Sequence, residues 1–196
     1  MGQTSTVQND ISTDIPSLRR PLALVGLMGA GKSKIGRALS ETFAVPFIDT
    51  DDVIENIAGM TIPTIFELYG ESKFREIEAR EIAALVNGKP AIISTGGGAF
   101  LQDETRAIIN QYAASIWLKA RPETLAGRIS NTASRPLLRD RDPEEVLKEL
   151  SKIRNPYYQQ AHITIDTDGL SLTAAIEKVT DTLLSTLAND GSSSLR

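Results

Sequence analysis

A chain of 196 residues is the size of one domain, with room for a small attached lid but not for a second core. Its 41% hydrophobic and 23% charged residues are the balance of a globular protein, and a net charge of −4 gives no overall attraction to nucleic acid or an anionic membrane. Cysteine is absent and His162 is the single histidine, which excludes disulfides, thiolate nucleophiles, Fe–S clusters and His-rich metal sites.

Residues 1–19 are polar and aperiodic and read as a disordered tail. They lack the apolar run of a signal peptide, and Asp10 and Asp14 fit poorly with an organelle transit segment, so a cytoplasmic location is expected. No stretch approaches the roughly 20 apolar residues that cross a bilayer. Residues 20–187 read as a single domain in which short apolar runs alternate with segments of helical period. That alternation predicts an α/β fold around a parallel sheet. Strands are expected at Leu22–Val25, Phe47–Ile48, Ala91–Ile93, Ser115–Leu118 and Ile163–Ile165. Helices are expected at Lys32–Phe43, Glu71–Val86, Asp103–Gln111, Asp142–Arg154 and Ser171–Leu187. The polar, Arg-rich stretch at about 130–141 reads as a long mobile lid, and 188–196 as a flexible tail.

Gly26-Leu27-Met28-Gly29-Ala30-Gly31-Lys32-Ser33 fits G-x-x-x-x-G-K-[ST] and falls between an apolar strand and an amphipathic helix. Small residues let the backbone wrap a phosphate with its N–H groups inward. The helix start and Lys32 add positive potential, and the Ser33 hydroxyl can ligate Mg²⁺. Nucleoside triphosphate binding follows. The fate of the γ-phosphate does not, because kinases, GTPases and motors share the motif.

Asp49-Thr50-Asp51-Asp52 follows the second strand, where ligands bind in open α/β sheets. One acid can hold Mg²⁺ through water while the other accepts from a substrate hydroxyl. Alternatively, Asp49 or Thr50 simply caps a helix over Asp52–Ala58. Arg75 can likewise be a surface residue paired with Glu71 or Glu78 at helical spacing. The three glycines Gly96–Gly98 cost backbone entropy that a mere turn explains poorly; close approach of backbone N–H groups to a ligand explains them better. Arg135, Arg139 and Arg141 lie in the lid stretch, where an arginine can be delivered to a transferring phosphoryl group. Arg154 is expected to end a helix and can be serving its dipole. Structural roles are expected for His162 and Trp117.

Together GLMGAGKS, IDTDD, the FREIE of Phe74–Glu78, the GGGA of Gly96–Ala99, the RPLL of Arg135–Leu138 and the RNPYY of Arg154–Tyr158 resemble shikimate kinase, in that family's order, from about Leu22 to Leu187. The resemblance implies a P-loop, NMP-kinase-like three-layer fold with a five-stranded parallel sheet. It also implies γ-phosphoryl transfer from ATP to the 3-hydroxyl of shikimate, giving 3-phosphoshikimate and ADP for aromatic amino acid biosynthesis. By motif, Gly29, Ala30, Gly31, Lys32, Ser33 and Lys34 would hold the ATP phosphates, and Arg128 would stack on adenine. Lys32 and Arg135 would form the catalytic cationic pair. Arg75 and Arg154, with the Gly97–Gly98 backbone, would grip the shikimate carboxylate. Asp51 would bind the ring hydroxyls and orient or deprotonate the attacking oxygen, for which a solvated Asp of ordinary pKa suffices. Ser33 would ligate Mg²⁺ directly and Asp49 through water. Thr167 falls in the family's adenine loop.

The physics of the residues alone reaches only a carboxylated polyhydroxy acceptor. A gluconate kinase on the same scaffold, a nucleoside monophosphate kinase and a non-catalytic nucleotide-binding module are the competing readings. The expected partners are ATP and shikimate, with no nucleic acid, no membrane and a monomeric chain.

Overall fold

The computed structural model describes residues 17–129, 138 and 141–189. Strand β1 (Leu22–Val25) is an unbroken aliphatic run buried along its whole length. It can be so only because it lies between two other strands with helices over both faces. The order across the sheet is β2 (Phe47–Asp49), β3 (Ile92–Ser94), β1, β4 (Ala114–Lys119), β5 (Ile163–Asp166), and every pairing is parallel. The chain therefore winds first to one side of β1 and then, after β3, crosses to the other. That reversal opens a crevice at the C-terminal ends of the central strands.

Helix α1 (Lys32–Phe43) packs on the sheet through Ile35, Leu39 and Phe43, spaced four apart on one face. Helix α2 spans Thr50–Ala58 and α3 Ile62–Val86, with Gly70 at φ 78° and ψ 170° interrupting the latter. The expected helix from Glu71 is thus the second half of a longer element, and a first half, Ile62 to Tyr69, precedes it. Ile54, Ile65 and Phe74 form a small core of their own under α2 and α3, apart from the main core on the sheet. A short 3₁₀ turn, Ala99–Leu101, leads into α4 (Asp103–Tyr112), and α5 (Pro122–Arg128) follows β4.

Helix α6 (Pro143–Tyr158) opens as its sequence predicts, with Asp142 accepting from the Glu144 N–H at 3.1 Å and Pro143 in the first turn. Its far end corrects the expectation. The helix does not stop at Arg154 but continues through Pro156 to Tyr158, so Arg154 projects from its body rather than serving its terminus. The boundaries of β2 to β5 shift by one residue at one or both ends, and the ends of the domain shift too. Leu18, within the expected N-terminal tail, is packed in the main core, and α7 (Leu172–Asn189) runs past Leu187. Most of the expected lid, with Arg135 and Arg139, lies outside the described residues.

Candidate active site

The crevice at the strand ends is one open cleft of about 1370 Å³, larger than the 300–1,000 Å³ that holds one small ligand. Its floor is the segment between β1 and α1. Gly29 and Gly31 sit at φ 81° and 88°, a left-handed conformation that turns the loop back on itself before the helix begins. Lys32 Nζ donates to the carbonyls of Gly26 at 2.9 Å and Leu27 at 3.1 Å, which places its charge over the loop mouth. Ala30 and the exposed Lys34 complete the loop lining.

Asp49 caps α2 and also reaches the phosphate loop. One carboxylate oxygen accepts from the Asp51 N–H at 3.2 Å and caps α2, while the other accepts from the Ser33 hydroxyl at 2.8 Å. Asp51 faces the cleft from the first turn of α2 and is open to its solvent, yet protein surrounds it on the remaining sides. Burial raises its pKa, Asp49 raises it further, and Lys32 opposes both. The expectation of an ordinary pKa for Asp51 is corrected in that direction.

On the opposite wall Arg75 rises from α3. Its Nη1 donates to Glu78 Oε2 at 2.6 Å, and Nε and Nη2 donate to Glu71 Oε1 at 3.3 and 3.1 Å. The bland pairing and the cleft-facing position again coexist. Burial works against the charge of Arg75, but Glu78 and then Glu71 outweigh it, and the guanidinium stays protonated. Glu78 is only 1% exposed and its Oε1 has no hydrogen-bond partner among the described residues. Burial pushes its pKa up, against the pull of Arg75 and with a further push from Asp51.

The glycine triplet is explained by what surrounds it. None of Gly96, Gly97 or Gly98 has a positive φ, so conformational freedom is not the reason for three glycines. A Cβ on Gly96 would lie 2.7 Å from Glu78 Oε1 and 3.1 Å from Asp51 Oδ1. On Gly97 it would lie 3.3 Å from Arg154 Nη1, and on Gly98 2.5–2.7 Å from the Arg75 guanidinium. Each glycine makes room for a charged side chain of the cleft. The turn is anchored by Thr95, whose N–H and hydroxyl donate to Leu24 O, and by Gly96 N–H donating to the buried Thr50 Oγ1 at 3.1 Å. Arg154 Nη1 donates to Gly97 O at 3.2 Å, as does the phenol of Tyr158 at 2.5 Å.

The remaining flank belongs to α5 and the loop after β5. Arg128 donates to Thr167 Oγ1 at 3.3 Å, Thr167 O at 2.7 Å and Leu170 O at 3.0 Å, and it lines the cleft above the phosphate loop. Asp168 ties the other end of α5, accepting from the Arg121 N–H at 3.0 Å, Arg121 Nε at 2.6 Å and Thr124 Oγ1 at 2.6 Å. Those donors, Thr124 first, hold its carboxyl down at about 2.

The structure thus brings Lys32, Ser33, Asp49, Asp51, Arg75, Gly97, Gly98, Arg128 and Arg154 to one cleft; Arg135 lies outside the described residues. His162 and Trp117 are structural: His162 Nδ1 accepts from the Ser115 N–H at 3.1 Å, and Trp117 is 4% exposed. The Arg75–Glu78 pairing follows the expected i+3 spacing, but the burial of Glu78 against the glycine turn, and the placement of Thr50 and Tyr158 beside that turn, carried no sequence signal.

The shikimate kinase family model matches residues 28–187. The shikimate kinase of Nitrobacter winogradskyi is 53% identical over 146 residues, which are 74% of this chain and 68% of that one. The solved structure of the Acinetobacter baumannii shikimate kinase in complex with shikimate superposes with a TM-score of 0.80 at 36% identity, over 89% of this chain and 96% of that one. A gluconokinase from Sinorhizobium meliloti shares the fold alone, with a TM-score of 0.56 at 16% identity over 90% of this chain and 100% of its own. A cleft with a phosphate loop on its floor and two arginines over a glycine turn on its wall agrees with the family match, and the chain belongs to the shikimate kinase family.

Proposed function

We propose that the cleft divides the family's reaction, γ-phosphoryl transfer from ATP to the 3-hydroxyl of shikimate, between its two walls. The observation that carries this reading is the convergence of Arg75 from α3 and Arg154 from α6 on one glycine turn, facing the phosphate loop across a shared cleft. Two guanidinium groups beside free backbone amides suit a carboxylate, and Asp51 between them and Lys32 suits vicinal hydroxyls. Arg75 and Arg154 would hold the carboxylate with the Gly97–Gly98 backbone. Asp51 would then fix the ring so that one hydroxyl faces the phosphate loop.

On the other wall, the loop amides of Gly29, Ala30 and Gly31 with Lys32, Ser33 and Lys34 would hold the phosphates, and the face of Arg128 would support the base. Arg135 would approach the phosphates from the lid. The Ser33 hydroxyl, 2.8 Å from an Asp49 oxygen, is a pair of hard oxygen donors. That set fits Mg²⁺, which takes one or two protein oxygens plus phosphates and water. Bound there, the metal ion would neutralise charge between the phosphates of ATP. The raised pKa of Asp51 makes it a better acceptor for the hydroxyl proton than an ordinary aspartate. A loose transition state needs that proton to leave only late, so orientation comes first. The reading also places the enzyme in the cytoplasm, acting as a monomer on small molecules.

The test is ADP release with ATP and Mg²⁺ in the presence of shikimate, gluconate, a nucleoside monophosphate or no acceptor. Release dependent on shikimate supports the reading. Release with gluconate instead would keep the phosphate machinery and overturn the roles of Arg75 and Arg154.

A further inference from the structure

The Tyr158 phenol is fully buried, with 0% exposure, and its ring stacks at a tilt on Trp117 with centroids 5.9 Å apart. A buried phenol needs a hydrogen-bond partner, and this one donates to Gly97 O at 2.5 Å. Around the turn, the N–H groups of Thr95, Gly96 and Ala99 donate to Leu24 O, Thr50 Oγ1 and Gly96 O. Those of Gly97 and Gly98 have no acceptor among the described residues. The Gly97–Gly98 peptide is trans and planar, so its carbonyl and the Gly98 N–H point in opposite directions. Whatever fixes Gly97 O therefore aims the Gly98 N–H.

We propose that Tyr158 is a positioning residue for the acceptor: its hydroxyl locks the Gly97 carbonyl so that the Gly98 N–H faces the substrate carboxylate beside Arg75 and Arg154. This rests on the carboxylate reading of that wall. Arg154 also donates to Gly97 O, at 3.2 Å, but a flexible guanidinium that must also meet a ligand is a poor sole anchor. Tyr158 is rigid by comparison, being held on Trp117 at the end of α6. A hydrogen bond to the carbonyl also polarises the amide and makes its N–H a stronger donor. The phenol, with its pKa pushed up to about 12 mainly by burial, stays a donor throughout the working range.

Tyr158→Phe keeps the ring and removes only the hydroxyl. The expected result is a shikimate KM raised about 5- to 15-fold, the scale of one buried hydrogen bond, with kcat and the ATP KM essentially unchanged. Replacing the shikimate carboxylate by a hydroxymethyl group should shrink that penalty, which a general loosening of the fold would not do. In the unaltered enzyme, the Gly98 amide resonance should shift on shikimate binding. An unchanged shikimate KM, an equal rise in both KM values, a penalty indifferent to the carboxylate, or a silent Gly98 amide overturns the proposal. Arg75→Ala separates the two levels of inference. If it raises the shikimate KM while Tyr158→Phe does not, only the positioning role fails; if it does not, the carboxylate reading fails and the proposal with it.

Discussion

The phosphate loop is one contiguous segment whose donors are its own backbone amides, shaped by left-handed glycines and a helix start. The facing wall is assembled from α2, α3, the glycine turn and α6, and its charged donors are the long side chains of Arg75 and Arg154, brought to the turn from separate helices. The first geometry is set by local backbone conformation. The second depends on the buried Arg75–Glu78 ion pair and on glycines that leave space for charged side chains. A change on the phosphate side is therefore felt through the backbone, and a change on the acceptor side through which side chain can reach the turn.

The contrast is broken most severely at Asp51, where the walls meet. Asp51→Asn should lower kcat by roughly 10²–10⁴, the range for loss of a positioned acid–base group, while nucleotide affinity measured by direct titration stays intact. Equal turnover would remove Asp51 from the chemistry. In the unaltered enzyme, kcat/KM for shikimate should fall on the acid side with an apparent pKa above the ordinary aspartate value, since burial and Asp49 raise it. The sign follows from the free enzyme needing the carboxylate, so activity is lost as pH falls through the raised value.

Gly98→Ala comes next. Its Cβ would lie 2.5–2.7 Å from the Arg75 guanidinium, displacing a charged donor, and the shikimate KM should rise about 10- to 100-fold with the ATP KM untouched. On the other wall, Asp168→Asn weakens the tie between α5 and the loop that meets Arg128. A rise of a few-fold in the ATP KM alone is expected, read in the same assay. If either variant moves the other substrate's KM equally, the two walls are not independent.

The smallest effect lies far from the cleft. His162 is held neutral, its pKa lowered by burial and then by Arg20, with Nδ1 accepting from the Ser115 N–H. The unfolded chain takes up that proton first, below about pH 6.5, so stability falls as pH falls through that region. Melting temperatures of His162→Gln between pH 7 and 5 should show a flatter slope than the unaltered protein.

The difference between the walls also explains what could be read in advance. β1, the phosphate loop and α1 are legible because each obeys a local rule: an aliphatic run, a glycine pattern and a four-residue apolar spacing. The helix that precedes Gly70 is not, since its apolar residues include the exposed Phe66, Leu68 and Tyr69 and so mark no single buried face. The end of α6 lies past the expected Arg154, because the helix runs on through Pro156 to Tyr158, whose ring packs on Trp117 in a contact that local sequence does not display. Gly96–Gly98 signalled a close approach, but which side chains approach depends on distant segments meeting. That is tertiary information, and Thr50, Glu78 and Tyr158 enter only through it.

The most direct measurement is the position of shikimate in a crystal of the enzyme soaked with it. The account predicts the carboxylate within hydrogen-bonding distance of Arg75, Arg154 and the Gly98 N–H, with a ring hydroxyl on Asp51. A ring turned the other way, with its carboxylate toward Lys32 and its hydroxyls on the arginines, would contradict it.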